Sequence, residues 1–301
     1  MRITQRAVAL TSLQGLNRNL DAVGRLQQQL TSGRLINAPS DSPTGTNQAL
    51  QTRGDIAATN QFSRNTTDGK TQLEATDSAL TTMLQQVRRV RDLSVQGSNT
   101  GAYGTASREA IATEVDQLRN SLLDLANQQL QGRPLFGGVT TGSVAFDPAT
   151  GGYVGTGSGP GDPQVMRRVS DTERVRVDIT GGEALTLDSG DTLFTVLSDI
   201  SAALTADPAT GDLDAGLTAL DQVRDRMLAA LADVGARATR IENAQLTTTD
   251  RSLTLSSRLA ATENVDLPKT IMELEMQKVG YQAALAATAK ALQPTLVDFL
   301  R

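Results

Sequence analysis

Two long stretches of this 301-residue chain contain no proline, one between Pro43 and Pro134 and one between Pro208 and Pro268. Proline lacks the backbone donor and clashes with the preceding helical turn, so stretches of this kind are where long unbroken helices can form. The piece between them differs in kind. From Gly137 to Gly190 it holds 12 of the 26 glycines together with Pro148, Pro160 and Pro163, and Arg174 to Ile179 alternates charged with apolar side chains. Alternation of that period is a strand signal, and the glycines and prolines mark turns. The order helix, β-rich insert, helix implies that the two helical halves meet in space and that the insert projects from one end.

The helical halves are written in heptads. Leu13, Leu16, Leu20, Val23 and Leu30 fall on alternating three- and four-residue steps, with Gln27 at the one missed position and Leu26 beside it. That is the spacing of a coiled-coil seam. Leu73, Leu80, Leu84, Val87 and Val90 form a second stripe, and Ile111, Val115, Leu118, Leu122 and Leu125 a third. After a short helix suggested by Leu193, Leu197, Ile200 and Leu204, the pattern continues through Leu220, Met227, Leu231, Val234, Ala238 and Ile241. The C-terminus has its own stripe in Leu267, Ile271, Leu274, Tyr281, Leu285, Leu292 and Leu296, with Lys278 and Thr288 at its polar positions. Thr31-Ser32-Gly33 supplies a helix stop, and Ser40 or Asp41 before Pro43 supplies a cap and an early-proline start. A single helix from Thr44 to Arg133 would run roughly 135 Å. Gly97, Gly101 and Gly104 lie inside it, so the chain is expected to turn back near Gly97 to Thr105.

Composition decides between architectures. Hydrophobic residues make up 39% and aromatics 3%, with no tryptophan, which is too little for a large spherical core and suits thin helical layers whose narrow apolar stripes meet. The expected fold is therefore mainly α with a β-rich insert: an elongated coiled-coil helical bundle built from the N- and C-terminal halves, with a small β domain in the middle. Its expected divisions are 1–43 with 263–301 for terminal helices and turn, 44–136 with 212–262 for the bundle, and 137–211 for the insert. The two terminal stripes sit at opposite ends of the sequence, and an isolated pair of that size is marginal in water. They are expected to order only when other copies of the chain supply the missing surface.

Chemistry is narrowed by what is missing. With no cysteine and no histidine, disulfides, thiol nucleophiles, histidine-dependent triads and histidine-ligated metals are excluded. A net charge of −5 argues against a nucleic-acid or anionic-membrane binder. No run approaches the length of a membrane span, and the apolar run Ala7 to Leu10 is too short for a Sec-type signal peptide. Asp207, Asp212 and Asp214 flank Pro208 and Gly211 ahead of a helix, where acids act as caps. The glycine-rich run Gly155 to Gly161 lacks the Gly-Lys-Ser/Thr ending of a phosphate loop and reads as a surface loop. Asn65-Thr66-Thr67 is a glycosylation sequon only by composition. Arg88, Arg89 and Arg91 alternate with Val87 and Val90 and read as a solvated or partner-facing side of an amphipathic helix. No catalytic constellation, cofactor site or metal site emerges, and the stripes fit a self-assembling structural protein.

Several runs resemble the bacterial flagellin family. Leu30-Thr31-Ser32-Gly33-Arg34-Leu35-Ile36-Asn37-Ala38-Pro39-Ser40-Asp41-Ser42-Pro43 is similar to that family's turn after the terminal helix, and Leu84 to Gln96 to its long helix. Gly132 to Gly138 is similar to the hinge before the variable region, and Val234-Gly235-Ala236-Arg237 with Arg240-Ile241-Glu242 to the returning helix. Pro134 departs from the hinge, which usually has an aromatic there, and Lys278, Thr288 and Pro294 interrupt the C-terminal stripe. The opening Met1-Arg2-Ile3-Thr4 and closing Val297-Asp298-Phe299-Leu300-Arg301 resemble members at the hook-filament junction more than filament flagellin. The resemblance implies a structural subunit, not an enzyme and without cofactors, exported without a cleaved signal peptide to the extracellular flagellum. Filament flagellin and an unrelated cytoplasmic coiled-coil adaptor are the alternatives. Implied partners are copies of itself in a ring, hook-associated protein 1 below, flagellin above and a type III export chaperone, with no nucleic acid and no membrane insertion. The implied assembly interface is Leu13, Leu16, Leu20, Val23, Leu30, Ile271, Leu274, Tyr281, Leu285, Leu292, Leu296 and Phe299.

Overall fold

The computed structural model describes residues 2–99, 104–157, 161–206 and 212–292. The elements in chain order are α1 Arg2–Ser32, α2 Pro43–Ser98, α3 Thr105–Ala126, β1 Gln129–Leu130, β2 Arg133–Pro134, β3 Met166–Arg168, β4 Arg174–Arg176, α4 Gly181–Leu185, α5 Leu193–Thr205, α6 Leu213–Glu263 and α7 Leu267–Leu292. The protein is thus mainly α with a small β region. The first proline-free stretch has become α2 and α3, and most of the second is α6. Backbone contacts divide the chain into two compact units, Met1–Ala58 with Arg251–Arg301, and Thr59–Asp250.

In the larger unit the heptad stripes find partners. Leu73, Leu80, Leu84, Val87 and Val90 of α2, Ile111, Val115 and Leu122 of α3, and Leu220, Met227, Val234 and Ile241 of α6 are buried in one continuous apolar cluster. Helix α3 runs back along α2: the Gln86 side-chain amide donates to Ser121 Oγ at 3.1 Å, and Arg89 pairs with Glu114 at 2.8 Å. The predicted helix of the insert is α5, which buries Leu193, Phe194, Leu197, Ile200 and Leu204. Two arginines of α3 hold it, Arg119 Nε donating to the Phe194 carbonyl and Arg108 Nη2 to that of Ala203, each at 3.0 Å. At Gly97 a Cβ would run into Leu204 Cδ2, so the bare backbone lets α5 come close to α2.

The remainder of the insert is held by turns and short pairings. Strands β1 and β2 form an antiparallel hairpin across Gln131 and Gly132, whose φ values of 53° and 78° suit the tight turn with two left-handed residues. Strands β3 and β4 pair antiparallel with Arg167 opposite Val175, and the alternation that starts in β4 and runs past it buries Val175, Val177 and Ile179. Phe146 packs between Tyr153 and Phe194, with ring centroids 5.3 Å and 4.9 Å away. Burial pushes the Tyr153 hydroxyl up to about 12.

The smaller unit is built on the turn between α1 and α2. Gly33, at φ 69°, donates its N–H to the Gln29 carbonyl at 2.9 Å and ends α1 as a left-handed cap. The start of α2 corrects the expected cap: Ser42 is the capping residue, its Oγ accepting from Gly45 N at 3.1 Å, and Pro43 is the first helical residue. Asp41 turns back instead, its carboxylate accepting from Asn37 N at 3.0 Å and Ala38 N at 2.8 Å. Leu35 N donates to the Glu263 carbonyl at 2.6 Å and Val265 N to that of Gly33 at 3.1 Å, which ties the turn to the α6–α7 junction. The buried Glu263 carboxylate pairs with Arg53 at 2.8 Å. Asp266 Oδ1 accepts from Lys269 N at 3.2 Å and caps α7.

Candidate assembly surface

Helices α1 and α7 pack against each other within one chain, although the sequence led us to expect order there only on assembly. The end of α1 lies beside the start of α7, where Arg34 bridges Asn264, and Gln277 Nε2 donates to Asn19 Oδ1 at 3.1 Å further along. The pair is therefore antiparallel. On α1 the covered line runs Ser12, Leu16, Asn19, Val23, Leu26 and Leu30; on α7 it runs Thr270, Leu274, Gln277, Tyr281, Ala284 and Thr288. Both are seams of alternating three- and four-residue steps. Gln27, which left a gap in the predicted stripe, is exposed, and Leu26 takes the seam position.

The predicted interface residues consequently divide in two. Leu16, Val23, Leu30, Leu274 and Tyr281 lie on the seam between α1 and α7, with Leu274 only 8% exposed. Leu13, Leu20, Ile271 and Leu285 stand one residue after seam positions and remain exposed, Ile271 at 51%. One residue's step is a turn of about 100° around each helix. Because the helices are antiparallel, the same step on both leads to the same side of the pair. The four residues thus lie on one open side of the pair, interleaved with the polar Asn17, Gln27, Glu275, Lys278 and Gln282 at the equivalent positions, and Leu10 and Leu267 continue the exposed apolar side chains. Leu292 is the last residue of α7, and the predicted interface residues Leu296 and Phe299 lie outside the described residues. On the other side of α1, a groove of about 640 Å³ between the end of that helix and the turn is lined by Ala22, Leu26, Leu35, Ile36, Asn37 and Asp41.

Sequence reasoning did not find a third apolar line. Met272, Met276 and Val279 occupy the face of α7 turned away from α1, and all three are exposed. Their four- and three-residue steps were a legible signal, masked by the stronger leucine stripe. Helix α7 therefore carries apolar surface on opposite sides, which a helix at the edge of a finished domain does not need.

The other polar candidates are occupied by the fold itself. Asp212 Oδ1 accepts from Ala215 N at 3.0 Å as a cap, Asp214 lies in the first turn of α6, and Asp207 lies outside the described residues. Arg89 pairs with Glu114, and Arg91 Nε donates to Asp221 at 2.9 Å, which raises the arginine's pKa and lowers that of the carboxylate. Asn65 Nδ2 donates to the Arg168 carbonyl at 2.7 Å, so its amide is committed to packing. In the insert Arg176 bridges Asp178 at 2.9 Å and Glu183 at 2.7 Å, and Glu183 closes a capping box with Thr180. Burial opposes the charge on Glu183, but the bond from Arg176 and the Thr180 backbone N–H outweigh it and hold the carboxyl below its ordinary value of 4.5. Among the described residues there is no cluster of three or more metal-ligating side chains and no helix long and apolar enough to cross a membrane.

The arrangement has counterparts among known proteins. The family model for the bacterial flagellin N-terminal helical region matches residues 3–141. Flagellar hook-associated protein 3 of Salmonella typhimurium is 23% identical over 94% of this chain and 95% of its own length. The flagellin of Bacillus subtilis is 25% identical over 97% of both. Among solved structures, a putative flagellar hook-associated protein from Vibrio parahaemolyticus superposes with a TM-score of 0.67 at 22% identity, covering 74% of this chain and all of that one. Flagellar hook associated protein-3 from Legionella pneumophila gives 0.60 at 15% identity over 70% of this chain and 98% of its own. These likenesses establish the flagellin-type helical fold.

Proposed function

We propose that this flagellin-family chain is the structural subunit of the bacterial flagellum at the hook-filament junction, where it adapts the hook end to the flagellin filament. The observation that carries the reading is the open flank of Leu13, Leu20, Ile271 and Leu285 on a helix pair that is already formed. Full burial of one such side chain is worth roughly 1.5–3 kcal/mol, so a row of them recovers enough to offset the cost of association only when covered along its length. A neighbouring copy presenting the same helices supplies such a cover, and repetition around an axis gives a ring. The Salmonella relative that aligns over nearly the whole chain is a hook-associated protein 3, which supports the junction reading.

The mechanism on this reading is mechanical, not catalytic. The α1–α7 pairs of successive copies build a tubular layer by packing against one another. Hook-associated protein 1 is the partner below and flagellin the partner above. The subunit travels through the flagellar type III apparatus as an unfolded chain, with an export chaperone on its apolar C-terminal helix. Filament flagellin is the second reading, supported by the Bacillus relative of equal length.

Deleting the gene and imaging sheared surface appendages tests the proposal. Hooks without filaments, with flagellin shed as monomer, are expected. Intact filaments with normal swimming would overturn it, and growth of long filaments by the purified, seeded protein would favour the filament reading. Alanine at Asp207 and Asp212 should leave motility unchanged if no chemistry resides in the insert.

A further inference from the structure

Every easily oxidised side chain of this protein is a methionine or one of three tyrosines, since the sequence has no cysteine, histidine or tryptophan. The six methionines are not equivalent. Met83 and Met227 are completely buried in the larger unit, and Met166 is 42% exposed, whereas Met272 and Met276 are 67% and 73% exposed. The last two are four residues apart on α7, so their thioethers stand one turn apart on one face, in line with the exposed Val279. A thioether reacts with a two-electron oxidant according to its access to solvent. Among the described methionines the fold therefore presents Met272 and Met276 most openly to such an oxidant, with Met166 next.

We infer that Met272 and Met276 form a paired oxidation site through which peroxide-class oxidants control self-assembly of the free subunit. In each event the thioether sulfur attacks a peroxide oxygen. The O–O bond breaks, an S=O bond forms, and the departing hydroxide takes up the proton released from the transferred oxygen to leave as water. Sulfur loses two electrons and the peroxide gains them. The product is a polar, chiral sulfoxide where an apolar thioether stood beside Val279, with the charged Lys269, Glu273 and Glu275 around it. Two sulfoxides one turn apart turn a surface that gains by being covered into one that must be dehydrated to be covered. Reduction by a methionine sulfoxide reductase restores the thioethers. The control of assembly rests on the reading of α1 and α7 as the polymerising surface, and the selectivity of oxidation does not.

The test uses the purified full-length chain treated with dilute hydrogen peroxide, with peptide mass mapping over time and light scattering of self-assembly on the same samples. Met272 and Met276 should oxidise at least about tenfold faster than Met83 and Met227. Assembly should slow at least about tenfold as both sulfoxides accumulate, and recover on enzymatic reduction. Met272→Leu/Met276→Leu should assemble as well as the parent and resist the treatment. Equal oxidation of buried and exposed methionines would overturn the site. Unchanged assembly of a chain carrying both sulfoxides would overturn the control. If the untreated chain and the leucine variant alike fail to assemble, the polymerisation reading fails and the control with it, while the oxidation map still reports on the site.

Discussion

The larger unit and the smaller one use the same sequence device to opposite ends. In residues 59–250 the heptad leucines and valines of α2, α3 and α6 are consumed inside the unit, together with the apolar face of α5. In the smaller unit α1 and α7 meet along one seam, and Leu13, Leu20, Ile271 and Leu285 stay exposed beside it. A stripe spaced at three and four residues states that a helix will be covered. It does not state by what.

The contrast can be broken most forcefully in the larger unit. Leu122 of α3 is fully buried, so Leu122→Ala should lower the chain's unfolding free energy by about 2–5 kcal/mol in chemical denaturation, with assembly impaired only through loss of folded protein. Leu274 tests the seam of the smaller unit. Leu274→Ala should cost about 2 kcal/mol, below the bundle value because two helices enclose it less completely, and should appear as loss of helical signal in a separate early transition. If that transition is absent, the α1–α7 pair is not formed in the free chain.

Removing a charge has a smaller effect. Arg53→Ala leaves the buried Glu263 carboxylate without its partner and should destabilise the smaller unit by about 1 kcal/mol, seen as a lower midpoint of the same early transition. Acid should act on the larger unit through Glu183, whose folded pKa lies below its ordinary 4.5. A depressed folded pKa means that its contribution is complete above the unfolded value and is lost as pH falls through the folded one. Glu183→Gln should therefore lower stability at pH 7 and flatten the stability-versus-pH curve below about 4.5, measured by denaturation at each pH.

Least of all should change in the monomer when the flank is altered. Leu285→Asp should shift its unfolding free energy by less than about 0.5 kcal/mol, because the side chain already faces water, yet should abolish assembly measured by sedimentation. A large loss of monomer stability would show Leu285 to be part of a packed core and would remove the distinction between the two regions.

Much of this was legible from residue spacing. The proline-free stretches gave the long helices, the glycines near Gly97 marked the break between α2 and α3, and the alternation around Val175 marked β4. What spacing alone could not settle was the partner of the line Leu16, Val23, Leu30. Leu13 and Leu20 are more apolar than Ser12 and Asn19, so a single sequence favours them as seam residues. The fold places Ser12 and Asn19 on the seam and leaves the leucines out, and residue spacing alone does not distinguish a leucine exposed beside a seam from one buried in it. Asp41 posed a similar problem: Ser42 and Asp41 are both competent caps, and only the backbone geometry assigns the cap to Ser42 and the turn-back contact to Asp41.

The amide contact between Asn19 and Gln277 joins residues 258 positions apart in the chain. Closing so long a loop is slow and entropically costly until intervening structure has shortened it, whereas the α2–α3 and β1–β2 pairings are nearly local. The terminal pair is thus expected to form after those local pairings, and the side of it that stays exposed is expected to take shape only once the intervening helices have brought the chain ends together.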